Sequence, residues 1–292
     1  MPAESFYTAP KALEHVTSRM FEIDFPELRW RDFLPLNTEA DEGDEFYAYE
    51  EEELIGSAKP AHTYGRSAPK VDVKVTKTSA PIHPVLTSFE YSVQDVRNAS
   101  QSGRSLPERK ARAAREFVER QLDEIMLVGD ADLGMTGLFN NSAVPNSAAS
   151  GTFATRTPDQ LIGEFNTVLG TMVDSTNGRE GSMVDIILPH LQYMDLSTRR
   201  VSDTGMTVLA YIRQNIPEIR SIRKSHRLNG LSGSDRMVAY LQDSSKVEAI
   251  LPLDVMAHPP QLQLFVWETG VEARTAGTVF YKPYSAYYLT GI

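Results

Sequence analysis

The 292-residue chain contains no cysteine, which excludes disulfides, thiolate nucleophiles and cysteine-based metal sites. It also lacks any apolar run near the length of about 20 residues that a membrane-spanning helix needs. Met1 to Met20 carries polar and charged groups throughout, with no apolar core of a secretion signal, so a soluble intracellular product is expected. There is no basic excess to neutralise phosphates. Lys plus Arg is 29 against 39 Asp plus Glu, a net charge of -10, and the chain does not read as a sequence-specific nucleic-acid binder. The 17 prolines and 18 glycines are spread out, with no low-complexity tract and no short internal repeat.

What is present is a globular composition, 41% hydrophobic and 23% charged. The length suits one large domain or two modest ones, at about 100–200 residues per domain. The acidity is local. Glu39, Asp41, Glu42, Asp44, Glu45 and Glu50 to Glu53 fall in one window without a single base, and the rest of the chain is nearly neutral.

Residues 1–43 have scattered apolar positions, among them Phe25, Trp30 and Phe33, set between prolines and charges. This reads as an extended arm with anchoring side chains; a frayed tail is the alternative. Residues 44–78 form two extended stretches around a polar middle, and Val71, Val73 and Val75 alternate with polar residues. Such a two-stranded ribbon is marginal alone in water and needs a partner surface.

The strongest helix follows. Ser105-Leu-Pro-Glu108 has the capping-box form, and Ala111, Ala114, Val118, Leu122 and Ile125 make one apolar stripe that ends at Gly129. A second capped helix begins at Thr157, with an apolar face running from Leu161 through Phe165 to Val173. Met183–Leu188 reads as a buried strand, Thr204–Asn215 as a helix and Ile219–Arg223 as a strand. Arg236–Gln242 and Val247–Leu253 read as a hairpin, and Leu262–Thr290 as β-rich. A β region split around an inserted α/β unit implies that residues before about 157 and after about 256 share one core.

The search for chemistry is mostly negative. No phosphate loop, dinucleotide fingerprint, zinc-protease motif or nucleophile elbow occurs. The six histidines are scattered, Asp130-Ala-Asp132 suits a helix-end loop as well as a cation, and Glu50 to Glu53 suits a solvated face, calcium or an electrostatic contact between subunits. No catalytic, cofactor or metal residue is assigned. A hydrolase with a site built from dispersed residues stays open.

Three stretches carry a resemblance: Gly103-Arg-Ser-Leu-Pro-Glu-Arg-Lys-Ala-Arg-Ala-Ala-Arg115, Gly129-Asp130, and Gly137-Leu-Phe-Asn-Asn141. Thr207 to Pro217 and Phe280 to Ile292 add to it. The order resembles the major capsid proteins of tailed bacteriophages, the Hong Kong 97-like capsid fold, which encapsulin shells share. That resemblance implies an α+β fold with an N-terminal arm (1–43), an extended β-hairpin loop (44–78), and a peripheral domain (79–156 and 256–292) holding a spine helix at 105–128. An inserted axial domain spans 157–255.

The resemblance further implies a structural, non-enzymatic subunit. It would self-associate into pentamers and hexamers of an icosahedral virion capsid assembled in the host cytoplasm. Packaged double-stranded DNA would be held without sequence-specific contacts, and there would be no membrane partner. A separate scaffolding protein, a portal and a decoration protein are the other implied partners. An encapsulin-like nanocompartment is the alternative within the fold. The expected contacts between subunits are the acids Glu50, Glu51, Glu52 and Glu53, the bases Arg109, Lys110, Arg112 and Arg115 on the spine helix, and the arm anchors Phe25, Trp30 and Phe33. The first 35 or so residues are expected to serve assembly and not subunit folding.

Overall fold

The apolar stripe of the strongest helical segment recurs every three to four residues, so one side must be buried along its whole length. In the computed structural model this segment is a helix over Leu106–Leu127, about 33 Å long at 1.5 Å per residue. Ala114, Val118, Leu122, Ile125 and Met126 are buried along it. The structure describes residues 27–58, 70–102, 106–175, 183–202 and 205–292. The expected cap at Ser105 and the helix stop at Asn177-Gly178 lie outside the described residues.

In chain order the elements begin with α1 (Trp30–Phe33), β1 (Leu36–Asn37), β2 (Phe46–Ile55), β3 (Asp72–Pro81), β4 (His83–Ser92), α2 (Val93–Ser102) and the spine helix α3. Three short strands follow, β5 (Gly129–Asp130), β6 (Met135–Thr136) and β7 (Asn146–Ala148). Next come α4 (Pro158–Ser175), β8 (Val184–Pro189), α5 (His190–Thr198), α6 (Val208–Asn215) and β9 (Ile219–Ser225). The chain closes with β10 (Arg236–Tyr240), β11 (Val247–Ile250), β12 (Leu253–Ala257), β13 (Gln261–Gln263), β14 (Val266–Thr275), β15 (Gly277–Phe280) and β16 (Ala286–Thr290).

Local chemistry accounts for several boundaries. The Gln160 side-chain oxygen accepts from the Thr157 N–H at 3.0 Å, and the Gln160 N–H donates to Thr157 Oγ1 at 3.4 Å, which closes the capping box of α4. Thr207 Oγ1 accepts from Ala210 N–H, so α6 starts later than the apolar pattern suggests. Gly129 ends the spine helix with φ +87, and Gly137 lies against it so closely that a β-carbon there would sit 2.4 Å from Gly129 N. This approach lets the Leu138 and Phe139 N–H groups donate to Met126 O and Leu127 O, satisfying the last turn of the helix. Both side chains are fully buried. The glycines of the resemblance are thus a helix-to-loop weld.

Three sheets and the ribbon β2-β3 carry the rest, with orders β1-β11-β15-β6-β5, β7-β16-β10-β8-β9, and β12-β14-β13, the last with β4 along the other edge of β14. The long β4–β14 pairing, Ser92 opposite Val266 through His83 opposite Thr275, joins a strand before the spine helix to one near the end of the chain. Two strands cross the boundaries expected from sequence. β16 pairs with β10 and β7, beside β8 and β9, and β11 pairs with β15 and β1.

The expected hairpin over Asp243–Lys246 does not form. β10 lies between β8 and β16, and β11 lies between β1 and β15. Met237, Val238, Ala239 and Tyr240 are all buried, as are Val247, Ala249 and Ile250, so each strand needs cover on both faces. Each strand already has a partner along both of its edges, so neither has an edge left for the other. Asp243 still makes the turn, its carbonyl accepting from Lys246 and Val247 N–H.

Two main cores result. One lies beneath the spine helix and gathers Trp30, Phe33, Leu122, Phe139, Tyr240 and Tyr288. The other packs α4 and α6 on the sheet through Phe165, Met172, Ile186, Ile212 and Leu289. Among the described residues no helix is long and apolar enough to cross a membrane.

Candidate assembly interface

β2 and β3 pair in unbroken antiparallel register from Phe46 opposite Pro81 to Ile55 opposite Asp72, and outside its root the ribbon is exposed on both faces. Residues directly opposite share a face. One face bears Phe46, Glu50, Glu52 and Leu54 with Lys77, Val75 and Val73; the other bears Glu51 and Glu53 with Thr76 and Lys74. Phe46, Leu54, Val73 and Val75 are all exposed, so the first face carries most of the apolar surface, with Ile55 exposed on the other.

The register divides the four acids. Glu50 lies opposite Lys77 and Glu53 opposite Lys74, two cross-strand pairs of opposite sign. Glu51 and Glu52 lie opposite Thr76 and Val75. Half of the acidic run therefore has a cation facing it within its own ribbon.

The ribbon's root is built from tyrosines. The Tyr47 and Tyr281 hydroxyls are 2.8 Å apart, and Tyr281 donates to Glu248 Oε2 at 2.8 Å. Asn37 Nδ2 donates to the same oxygen at 2.6 Å. The Tyr49 ring meets Tyr281 edge-on at 5.0 Å, and its hydroxyl donates to Phe280 O. Arg274 donates to Glu42 O and Asp44 O. Burial, the Tyr47 hydrogen bond and the Glu248 carboxylate push the Tyr281 hydroxyl far above the usual tyrosine range. The ribbon thus leaves the body at a defined angle. Nothing in the local pattern around Tyr281 or Glu248 marks this junction in advance, because its members lie on four separate segments.

The basic residues expected on the spine helix are on its outer side. Arg109, Arg112 and Arg115 are exposed, and Lys110 is half-buried, its ammonium donating to Glu90 O at 2.7 Å. Lys110 therefore ties the helix to β4.

Two arm residues need correction. Trp30 and Phe33 are 1% and 0% exposed and belong to the core beneath the spine helix, so their apolar surface is used up inside their own chain. Phe25 lies outside the described residues. The anchor is electrostatic as well as apolar. Asp123, buried on the spine helix, accepts from the Arg29 and Trp30 N–H groups at 2.9 and 3.2 Å and faces Arg227 Nε at 3.4 Å. An acid on the inner side of an otherwise apolar stripe is the one sequence signal for that clamp. A second buried acid, Asp185, pairs with Arg220 and Arg223, and Arg223 donates to Asp32 O. Residues 29–37 are thus part of the folded body, against the expectation that the first 35 serve assembly alone.

Asp130 makes the helix-end turn, its side chain accepting from Asp132 and Leu133 N–H. Among the described residues no group of three or more His, Asp or Glu could hold a metal.

Comparison with known proteins places this architecture. The capsid of Myoviridae phage XM1 superposes with a TM-score of 0.86 at 18% identity, covering 97% of this chain and 98% of that one. The capsid of an empty GTA particle gives 0.67 at 10% identity over 95% and 94%. A virus-like particle from Pyrococcus furiosus gives 0.56 at 10% identity over 89% and 91%. No curated protein matches the chain in sequence. Residues 56–292 match the family described as major capsid protein, which takes in the spine helix, its glycine weld and every later strand. The chain belongs to the major capsid protein family, with the α+β fold of phage capsids and the role of a structural head subunit.

Proposed function

We propose that this subunit closes an icosahedral shell by laying its ribbon on the outer side of a neighbour's spine helix, with the face of Phe46, Glu52 and Leu54 turned inward. The observation that carries the reading is a fully paired ribbon with almost no cover of its own. An isolated two-stranded ribbon is marginal in water, so a surface from another copy supplies what the chain does not. Apolar positions concentrate on one face, and Glu52 shares it without a cation opposite. Arg109, Arg112 and Arg115 offer the complementary charge. Lys110 and the arm residues Trp30 and Phe33 are not part of this contact.

The axial domain, drawn mainly from residues 157–255, would line the centre of each pentamer or hexamer. Outside the acidic window the charge is near balance, which suits a container that encloses double-stranded DNA without gripping it. A scaffolding protein, a portal and a decoration protein are the partners such a shell implies, in a virion assembled in the host cytoplasm. The match of residues 56–292 to the family described as major capsid protein favours a phage head over a nanocompartment.

The test is particle yield by sedimentation across a salt series. Glu52→Lys is expected to leave the subunit folded and to block assembly or make it salt-sensitive, with Glu51→Lys weaker because it lies on the other face. Equal assembly of both variants with wild type at low salt sinks the docking assignment. Nucleic-acid staining of the particles in micrographs separates a DNA container from a protein compartment.

A further inference from the structure

Strands β8 and β9 run parallel and end side by side, with Leu188 opposite Lys224 and Pro189 opposite Ser225. Past the carboxyl ends of adjacent parallel strands the chain turns away and leaves a crevice, where α/β units commonly hold ligands. A crevice of about 630 Å³ lies there, bounded on its other sides by the spine helix and by the residues that lead into α1. Arg29, His190, Lys224, His226 and Arg227 bring five basic side chains to it from three separate segments. Its acids are Glu27 and Asp123, and Leu127 and Leu191 supply apolar wall.

Both acids are already engaged. Glu27 pairs with Arg29, and Asp123 accepts from the Arg29 and Trp30 N–H groups. Lys224 has neither a hydrogen-bond acceptor nor a carboxylate at ion-pair distance among the described residues, and its ammonium lies 6.0 Å from the centre of the Tyr193 ring. Arg227 reaches Asp123 and Glu124 only at 3.4 Å, which leaves donors to spare on its guanidinium. His226 Nδ1 faces the Asn229 Nδ2 amide at 3.5 Å, so Nδ1 is the acceptor and Nε2 carries the donated proton. Donors and positive charge thus converge on one crevice whose own carboxylates are spent.

Such a set calls for an anion, and the number and spread of the donors select its shape. A carboxylate offers two oxygens in one plane. A phosphate offers oxygens in tetrahedral directions, which suits an ammonium, a guanidinium and an imidazole N–H that arrive from different segments. The volume admits a free phosphate or a small phosphate ester and is too small for a DNA duplex. We infer that this crevice binds a small phosphate-bearing ligand, held by Lys224, Arg227 and His226. The bound anion offsets the repulsion among these cations and braces β9 of one core against the spine helix of the other. The inference does not depend on the shell reading above.

The test uses the full chain and inorganic phosphate, with sodium chloride holding the ionic strength constant. Calorimetric titration of the wild type is expected to show saturable binding, and its melting temperature is expected to rise with phosphate and level off. Lys224→Gln should fold as the wild type does in chloride, weaken binding by about tenfold or more, and lose the saturable rise, leaving only the general effect of the salt. His226→Gln should weaken binding by about threefold. Lys70→Gln, on the exposed residue before β3, should bind as the wild type does. Deoxyadenosine monophosphate is the second probe. Affinity equal to that of inorganic phosphate assigns the site to the phosphate group alone, and tighter binding that Lys224→Gln also removes assigns it to a phosphate ester whose body rests on Leu191. The inference is overturned if neither probe binds the wild type saturably, or if binding survives Lys224→Gln undiminished. Particle formation, which tests the shell reading, is read separately and is untouched by either result.

Discussion

The ribbon and the spine helix sit side by side in the sequence and obey opposite rules. Ala114, Val118, Leu122 and Ile125 on the inner side of the helix are covered by their own chain, whereas Phe46, Leu54, Val73 and Val75 of the ribbon are exposed. The helix is stabilised by burial, at roughly 25 cal/mol per Å² of apolar surface. The ribbon is held by its ladder and a tyrosine root. The lesson is that exposed apolar surface on a regular, fully paired element marks a contact made elsewhere, while the same residues in a core only report folding.

Substitutions should separate the two regions sharply. Phe165→Ala in the α4 core is expected to cost about 3–5 kcal/mol of subunit stability, read by denaturant melts of unassembled protein. A loss under about 1 kcal/mol would contradict that placement. Leu54→Ser at the ribbon should change the same melt by less than about 0.5 kcal/mol and still reduce particle yield.

Removal of the arm sharpens the boundary between body and extension. Deleting residues 1–26 should leave the subunit melt intact, whereas deleting 1–37 removes Trp30, Phe33 and the β1 strand and should abolish cooperative unfolding. Asp123→Asn weakens the clamp on Arg29, Trp30 and Arg227 and should cost about 1–3 kcal/mol. An unchanged melt would show that the apolar anchors alone hold the arm.

The smallest effect concerns pH. Burial raises the hydroxyls of Tyr240 and Tyr288 above the usual range, as it does Tyr281. A group whose folded value is raised contributes stability that is fully present below its unfolded value, near pH 10, and that is lost as pH rises through the folded one. Alkaline unfolding should therefore begin above about pH 10. Tyr288→Phe, which also forfeits the 2.6 Å bond to Leu138 O, should make stability less steep with pH. An unchanged slope would contradict the role of that phenol.

Much of this was legible in the sequence because it is encoded locally. The spine stripe, the Thr157–Gln160 box, the valine alternation of β3 and the glycines at 129 and 137 each act within a few residues. The pairings of β10 and β11 were not legible, since a turn at Asp243 says nothing about whether two doubly buried strands pair with each other or with distant ones. The burial of Trp30 and Phe33 escaped for a related reason. A short, aperiodic segment shows apolar residues without showing what covers them, and the decisive partner, Asp123, lies far along the chain. In the acidic run the sequence shows four carboxylates, but only the register reveals that Lys77 and Lys74 face two of them.

The most direct test of the central claim, that the uncovered ribbon is an assembly element, is sedimentation of wild-type and Glu52→Lys protein side by side, with thermal melts of both. The account predicts closed particles from the wild type, folded but unassembled Glu52→Lys subunits at low salt, and matching melts. Particles from both proteins in equal yield across the salt series would contradict it.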